Sequence, residues 1–205
     1  MSAAVGGPVG GSGPCIGLLE LASIAAGFET ADALRKEAAV RLLGARPVTP
    51  GKFVILFTGP VEEVASALRR GLETGADSLI DSLFIPNVEP TLLALIEATR
   101  GAGGPATGAA AAPIALDAVG IIETLSVAST IRAADIASKT ATLQLVGLGL
   151  AAGIGGKSYV TFTGEVGDTG AALEAGAADA ERAGMLVRKV LIARPHADMA
   201  EVFGA

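Results

Sequence analysis

Two passages of this chain, each about a hundred residues long, are versions of one another. Gly17-Leu-Leu-Glu20 is answered by Gly120-Ile-Ile-Glu123, Ser23 by Ser126, Ala31-Asp32 by Ala134-Asp135 and Lys36 by Lys139, always 103 positions on. Gly51-Lys52 and Phe57-Thr-Gly59 are answered by Gly156-Lys157 and Phe162-Thr-Gly164, 105 positions on. The drift of two residues falls in a glycine-rich turn, Leu150-Ala-Ala-Gly-Ile-Gly-Gly-Lys-Ser158, whose looser relative is Ala45-Arg-Pro-Val-Thr-Pro-Gly-Lys-Phe53. A turn tolerates an insertion more easily than a strand or helix does. Whatever the first passage folds into, the second must fold into as well.

The first passage reads as alternating elements. Cys15–Ile24 is an apolar run bounded by Pro and Gly, which suits a buried strand. Glu29–Ala38 is rich in helix formers, with Ala31, Leu34 and Ala38 on one face. Val40–Leu43 and Phe53–Thr58 read as strands on either side of the Thr49-Pro50-Gly51 turn. Pro60 with Glu62 and Glu63 marks a helix start, and Val61, Val64, Ala65, Leu68 and Leu72 form its apolar stripe. Ser78–Pro86 reads as a strand, and Pro90 opens a short helix with Leu92, Leu93 and Ile96 inward. The order β-α-β-β-α-β-α, met twice, predicts an α/β (α+β) chain of two domains, 15–99 and 117–205. Residues 100–116 are Gly/Ala/Pro-rich and read as a linker, and residues 1–14 as a disordered arm.

Composition excludes several classes. Hydrophobic residues make up 51% and charged residues 18%. The uncharged run Thr140–Gly156 carries five glycines and is too short to span a bilayer, so the apolar excess points to large subunit contacts. The net charge is −6, with no basic cluster and no Trp, which disfavours nucleic acid. One cysteine, Cys15, rules out an intrachain disulfide framework. The first residues lack the pattern of a secretory signal, so the expected location is cytoplasmic.

Several motifs invite an enzymatic reading and fail on context. Gly147-Leu-Gly149-Leu-Ala-Ala152 matches a dinucleotide fingerprint, but a strand-like run follows where a helix must present its N-terminus to the pyrophosphate. Gly156-Lys157-Ser158 ends like a phosphate-binding loop, yet Ala151 stands where its first glycine belongs. His196 is the single histidine and reads as a surface or interface residue. Glu20 and Glu123 occupy equivalent strand positions, which duplication alone explains.

Four segments carry a family resemblance. The opening Gly120-Ile-Ile-Glu-Thr-Leu-Ser-Val-Ala-Ser-Thr-Ile-Arg-Ala-Ala-Asp-Ile-Ala-Ser-Lys139, the turn Ile154-Gly-Gly-Lys157, Thr163-Gly-Glu-Val-Gly-Asp168 and the closing Ile192-Ala-Arg-Pro-His196 resemble a bacterial microcompartment shell domain. The first half repeats the pattern from Gly17 to Pro86, so the chain is similar to the tandem-domain class of shell proteins, and within it to the propanediol-utilisation T-type. The resemblance implies two ferredoxin-like domains per chain and a pseudo-hexameric homotrimer. Discs of this kind tile with hexameric shell proteins around a metabolic enzyme set. The implied role is structural, not enzymatic, with a central pore for small polar metabolites.

By motif, the pore-lining residues would be Val48, Thr49, Pro50 and Gly51 from the first domain and Ile154, Gly155 and Gly156 from the second. Lys36, Lys139 and Arg194 would be disc-edge contacts. The first half carries Asn87-Val-Glu89 where the second has Arg-Pro-His, so one kind of edge lacks the arginine. T-type relatives hold an iron–sulfur cluster on a cysteine just before the Pro-Gly of the pore turn. Thr49 stands there in this chain, and a hydroxyl is a poor ligand for a thiolate-preferring cluster, so no metal or cofactor is expected. The rival reading is a tandem ferredoxin-like regulatory protein that binds a small molecule.

Overall fold

The computed structural model describes residues 14–99, 106–107, 117–151 and 153–203. The proposed arm falls almost wholly outside them, as does most of the proposed linker. The first repeat runs β1 (Cys15–Leu21), α1 (Ile24–Glu37), β2 (Arg41–Val48), β3 (Lys52–Gly59), α2 (Val61–Thr74), β4 (Leu79–Ile85) and α3 (Pro90–Ala98). A two-residue strand, β5 (Ala106–Thr107), lies within the linker. The second repeat runs β6 (Ala118–Thr124), α4 (Val127–Thr140), β7 (Gln144–Leu150), β8 (Ser158–Gly164), α5 (Val166–Arg182), β9 (Leu186–Ala193) and α6 (Met199–Phe203).

Each repeat folds into an antiparallel sheet backed by two helices. The strand orders are β2-β3-β1-β4 and β5-β7-β8-β6-β9. Apart from β5, which pairs Ala106 and Thr107 with Leu148 and Gly147, the two orders are the same. Even the irregularities repeat: the register slips between Leu42 and Gly44 in one copy and between Leu145 and Gly147 in the other. The drift from 103 to 105 positions arises in the turns between β2 and β3 and between β7 and β8.

Three elements depart from the sequence reading for physical reasons. Helix α1 begins at Ile24 rather than Glu29, because the Ser23 hydroxyl accepts the Ala26 N–H at 3.3 Å and caps the helix there. Gly27 then lies inside the helix at a point where a Cβ would sit 2.2 Å from the Phe53 ring. Strand β2 runs on to Val48 through Pro47, which an edge strand accommodates. Helix α2 buries Val64, Ala67 and Gly71, leaving Ala65 exposed, since its small residues let it press close onto β1.

Both faces of β1 are buried. Leu19, Leu21, Phe53 and Phe57 pack under α1 and α2. On the opposite face, Ile16, Leu18, Leu56, Leu83 and Ile85 share one core with Val127, Ala128 and Ile131 of α4. The second repeat therefore covers the open face of the first sheet.

Candidate functional site

The two glycine-rich turns meet. The first joins Val48 to Lys52, which are opposite one another in the β2–β3 ladder, with Gly51 N–H donating to the Val48 carbonyl at 2.9 Å. The Thr49–Pro50 bond is cis, and Gly51 has φ +94°. The second turn joins Leu150 to Ser158 and runs through positive φ at Ala151, Gly153, Gly155 and Gly156. A Cβ at Gly156 would lie 2.6 Å from Pro50 Cδ and 2.8 Å from the Thr49 carbonyl oxygen, so only glycine lets the turns abut.

The pore-lining set divides on burial. Thr49, Pro50, Gly51 and Gly155 are exposed and Ile154 is half-buried. Val48 belongs to the core shared by the two repeats, and Gly156 is covered by the other turn. Neither tempting motif gains the helix its chemistry needs: Gly147 and Gly149 lie inside β7, and Lys157 leads into β8.

Behind the first turn sits Glu20, fully buried. One of its carboxylate oxygens takes the Lys52 ammonium at 2.9 Å, and the other accepts the Val127 N–H at 2.8 Å. Lys52 also donates to the Leu125 carbonyl at 3.1 Å. Asp81, the cross-strand partner of Glu20, accepts the hydroxyls of Ser126 at 2.5 Å and Ser129 at 3.1 Å. Two carboxylates of the first repeat thus face the N-terminus of α4, where the helix dipole favours negative charge. Arg132 donates to the Ser82 carbonyl at 2.8 Å, and the Glu89 N–H donates to Asp135 at 2.9 Å. This polar border surrounds an apolar centre of Val127 and Ile131.

The equivalent groups elsewhere stand open. Glu123 binds Lys157 at 3.0 Å, as Glu20 binds Lys52, but is only partly buried. Ile24 and Phe28 are the counterparts of Val127 and Ile131 at the 103-residue offset. They are 39% and 61% exposed, against 1% and 0% for Val127 and Ile131.

The three basic residues differ in setting. Lys139 pairs with Asp135 at 2.7 Å and donates to the Asn87 carbonyl of the first repeat at 2.5 Å. Among the described residues Lys36 pairs only with Asp32, at 2.5 Å, and it is largely exposed. Arg194 is exposed with φ +50°, and its N–H donates to the Asp117 carbonyl at 2.7 Å. His196 is exposed beside Asp198.

The donors at the first turn do not suit an iron–sulfur cluster. Thr49 offers a hydroxyl, and Cys15 is buried on β1 in the core beneath α1 and α2. Burial, and then the Glu62 charge, push the Cys15 thiol from its ordinary 9.0 up to about 11. The folded chain should therefore resist alkylation at neutral pH and react fully once unfolded; rapid labelling of the folded chain would contradict this burial. The unfolded thiol loses its proton first, so stability should fall as pH rises from 9.0 towards about 11.

Fold and seam define the class: a tandem α+β protein with one repeat-to-repeat face satisfied inside the chain and its counterpart unfilled. Relatives agree. A family model described as the BMC domain matches residues 15–88 and again 118–195. The bacterial microcompartment shell protein PduT of Citrobacter freundii is 40% identical, over 90% of this chain and 94% of its own length. The shell protein EutM of Salmonella typhimurium is 41% identical over 43% of this chain and 90% of its own, the span of one repeat. A crystal structure of a microcompartment protein from Desulfitobacterium hafniense superposes with a TM-score of 0.77 at 43% identity, covering 92% of this chain and 99% of that one. The chain belongs to the BMC-domain family of bacterial microcompartment shell proteins, as a member with two domains in tandem. Its role is structural.

Sequence reasoning missed the seam. Glu20 and Glu123 drew notice as a repeated pair, but nothing in the sequence distinguishes the one that is buried.

Proposed function

We propose that three copies of this chain close into a disc of six domains that tiles into a microcompartment shell in the cytoplasm beside hexameric shell proteins. The observation that carries this is the exposure of Ile24 and Phe28 where their counterparts Val127 and Ile131 are buried. Inside the chain, α4 of the second repeat covers the sheet of the first. Between chains, α1 of one copy covers the sheet of the next copy's second repeat, where Val190 and Ile192 are only half-buried. Such a head-to-tail contact either closes into a ring or runs on as a filament. The family resemblance favours a ring of three.

In that ring the abutting turns face the axis. Thr49, Pro50, Gly51, Ile154 and Gly155 line a pore for small polar metabolites, with Val48 and Gly156 supporting them from behind. Exposed glycine backbone presents N–H groups that favour polar or anionic solutes. The disc turns over no substrate and holds no cluster. Lys36, Lys139 and Arg194 lie at the disc edge.

The test is mass by light scattering together with electron microscopy. A species of three chains, each 20.2 kDa, that forms sheets supports the disc. A chain that stays monomeric when concentrated and binds a metabolite stoichiometrically would support the regulatory reading instead. Thr49→Cys should allow an iron–sulfur chromophore after anaerobic reconstitution of the trimer. A colourless, intact trimer would argue against the axial position of Thr49.

A further inference from the structure

We propose that the seam between protomers is keyed by charges opposite to those of the seam within the chain, with Glu29 of one copy pairing with Arg188 of the next. This rests on the head-to-tail ring proposed above. Helix positions map between repeats by 103 residues, Arg132 onto Glu29 and Ser129 onto Ala26. Edge-strand positions map by 107, since Leu18 pairs with Leu83 as Ile121 pairs with Val190. Asp81 therefore maps onto Arg188, and Ser82 onto Lys189.

Inside the chain, the helix brings a cation and two hydroxyl donors to a strand that offers an acid. Arg132 reaches the Ser82 carbonyl, and Ser126 and Ser129 donate to Asp81. Arg132 forms its ion pair with Asp179, at 3.1 Å, and not with Asp81, but at the open seam the charge at both seam positions is reversed. The helix brings Glu29 and the strand offers Arg188. Ala26 replaces the second hydroxyl, which suits a strand residue that cannot accept a hydrogen bond.

Glu29 and Arg188 are both exposed, and neither makes an ion pair among the described residues. The neighbouring groups are already engaged: Glu123, cross-strand from Arg188, holds Lys157, and Lys189 holds Glu174 at 2.5 Å. Arg188 is the cation left for Glu29.

The exchange sets the order of domains around the ring. Helix α1 seated on a first-repeat sheet would bring Glu29 to Asp81, and α4 seated on a second-repeat sheet would bring Arg132 to Arg188. Like charges at a closing contact reject the wrong partner. First and second repeats must then alternate, and the ring closes only on whole chains.

The experiment is a charge-reversal cycle on the full chain, read as the trimer dissociation constant by sedimentation. Glu29→Arg and Arg188→Glu should each weaken the trimer about tenfold or more, and the double variant should recover to within about threefold of the wild type. Urea midpoints of the monomers should not move, which separates seam effects from misfolding. Single variants without effect, or losses that simply add in the double variant, would overturn the pairing. A wild-type chain that never forms trimers would instead refute the ring.

Discussion

Phe28→Asp should convert the trimer to folded monomers. Phe28 is 61% exposed and meets the Phe53 ring at 4.9 Å between centroids. Replacing it costs the isolated chain little, because the side chain already faces solvent. At the seam, however, it takes the place that Ile131 fills inside the chain. Removing a buried aromatic costs about 3–5 kcal/mol, and forcing a carboxylate into the same site adds to that. The penalty recurs at each seam of the ring. Light scattering should show a mass near one chain at concentrations where the wild type is trimeric, with an unchanged circular dichroism spectrum. The control is Ile131→Asp, which places the same charge in the intrachain seam and should destabilise the fold itself. A Phe28→Asp protein that remains trimeric would remove α1 from the interface.

Glu20→Ala should destabilise the chain by about 3–5 kcal/mol, the cost of leaving a buried ionic partner uncompensated. The Lys52 side chain is 19% exposed and would keep only the Leu125 carbonyl. The Val127 N–H would lose its acceptor at the first turn of α4. Glu20→Gln keeps an acceptor for Val127 and should lose less. Glu123→Ala removes the same residue from the open seam, where a partly exposed pair contributes about 0–1 kcal/mol to the single chain. Its loss should appear in trimer affinity rather than in the urea midpoint. Equal effects of the two alanine variants on chain stability would mean that Glu20 does not bridge the repeats.

Much of the fold was legible because the repeat tests itself. The apolar stripe over Val61–Leu72, the Pro60 start and the strand Phe53–Thr58 each have a period or a punctuating residue that a window of sequence displays. Errors came where a distant residue intervened. The helix formers of Glu29–Ala38 predict a start at Glu29, and only the Ser23 cap and the Phe53 ring against Gly27 show why the helix begins earlier. The charge exchange between Arg132 and Glu29, and between Asp81 and Arg188, could have been read by aligning the copies. Its meaning could not, since burial is not written at either position.

By itself the sequence determined the duplication, the element order within each copy, the place of the two-residue insertion and the family resemblance. These follow from local periodicity and from matched residues in register. Tertiary structure alone decided that the first sheet is covered by α4 and the second only in part, by Met199 and Phe203 of α6, that Glu20 is buried while Glu123 is only partly so, and that the two turns abut at Gly156. The two copies carry nearly the same pattern, so local propensity treats them alike. What distinguishes them is position in the fold: α4 of the second repeat packs on the first sheet, and among the described residues no helix of another repeat packs on the second in the same way.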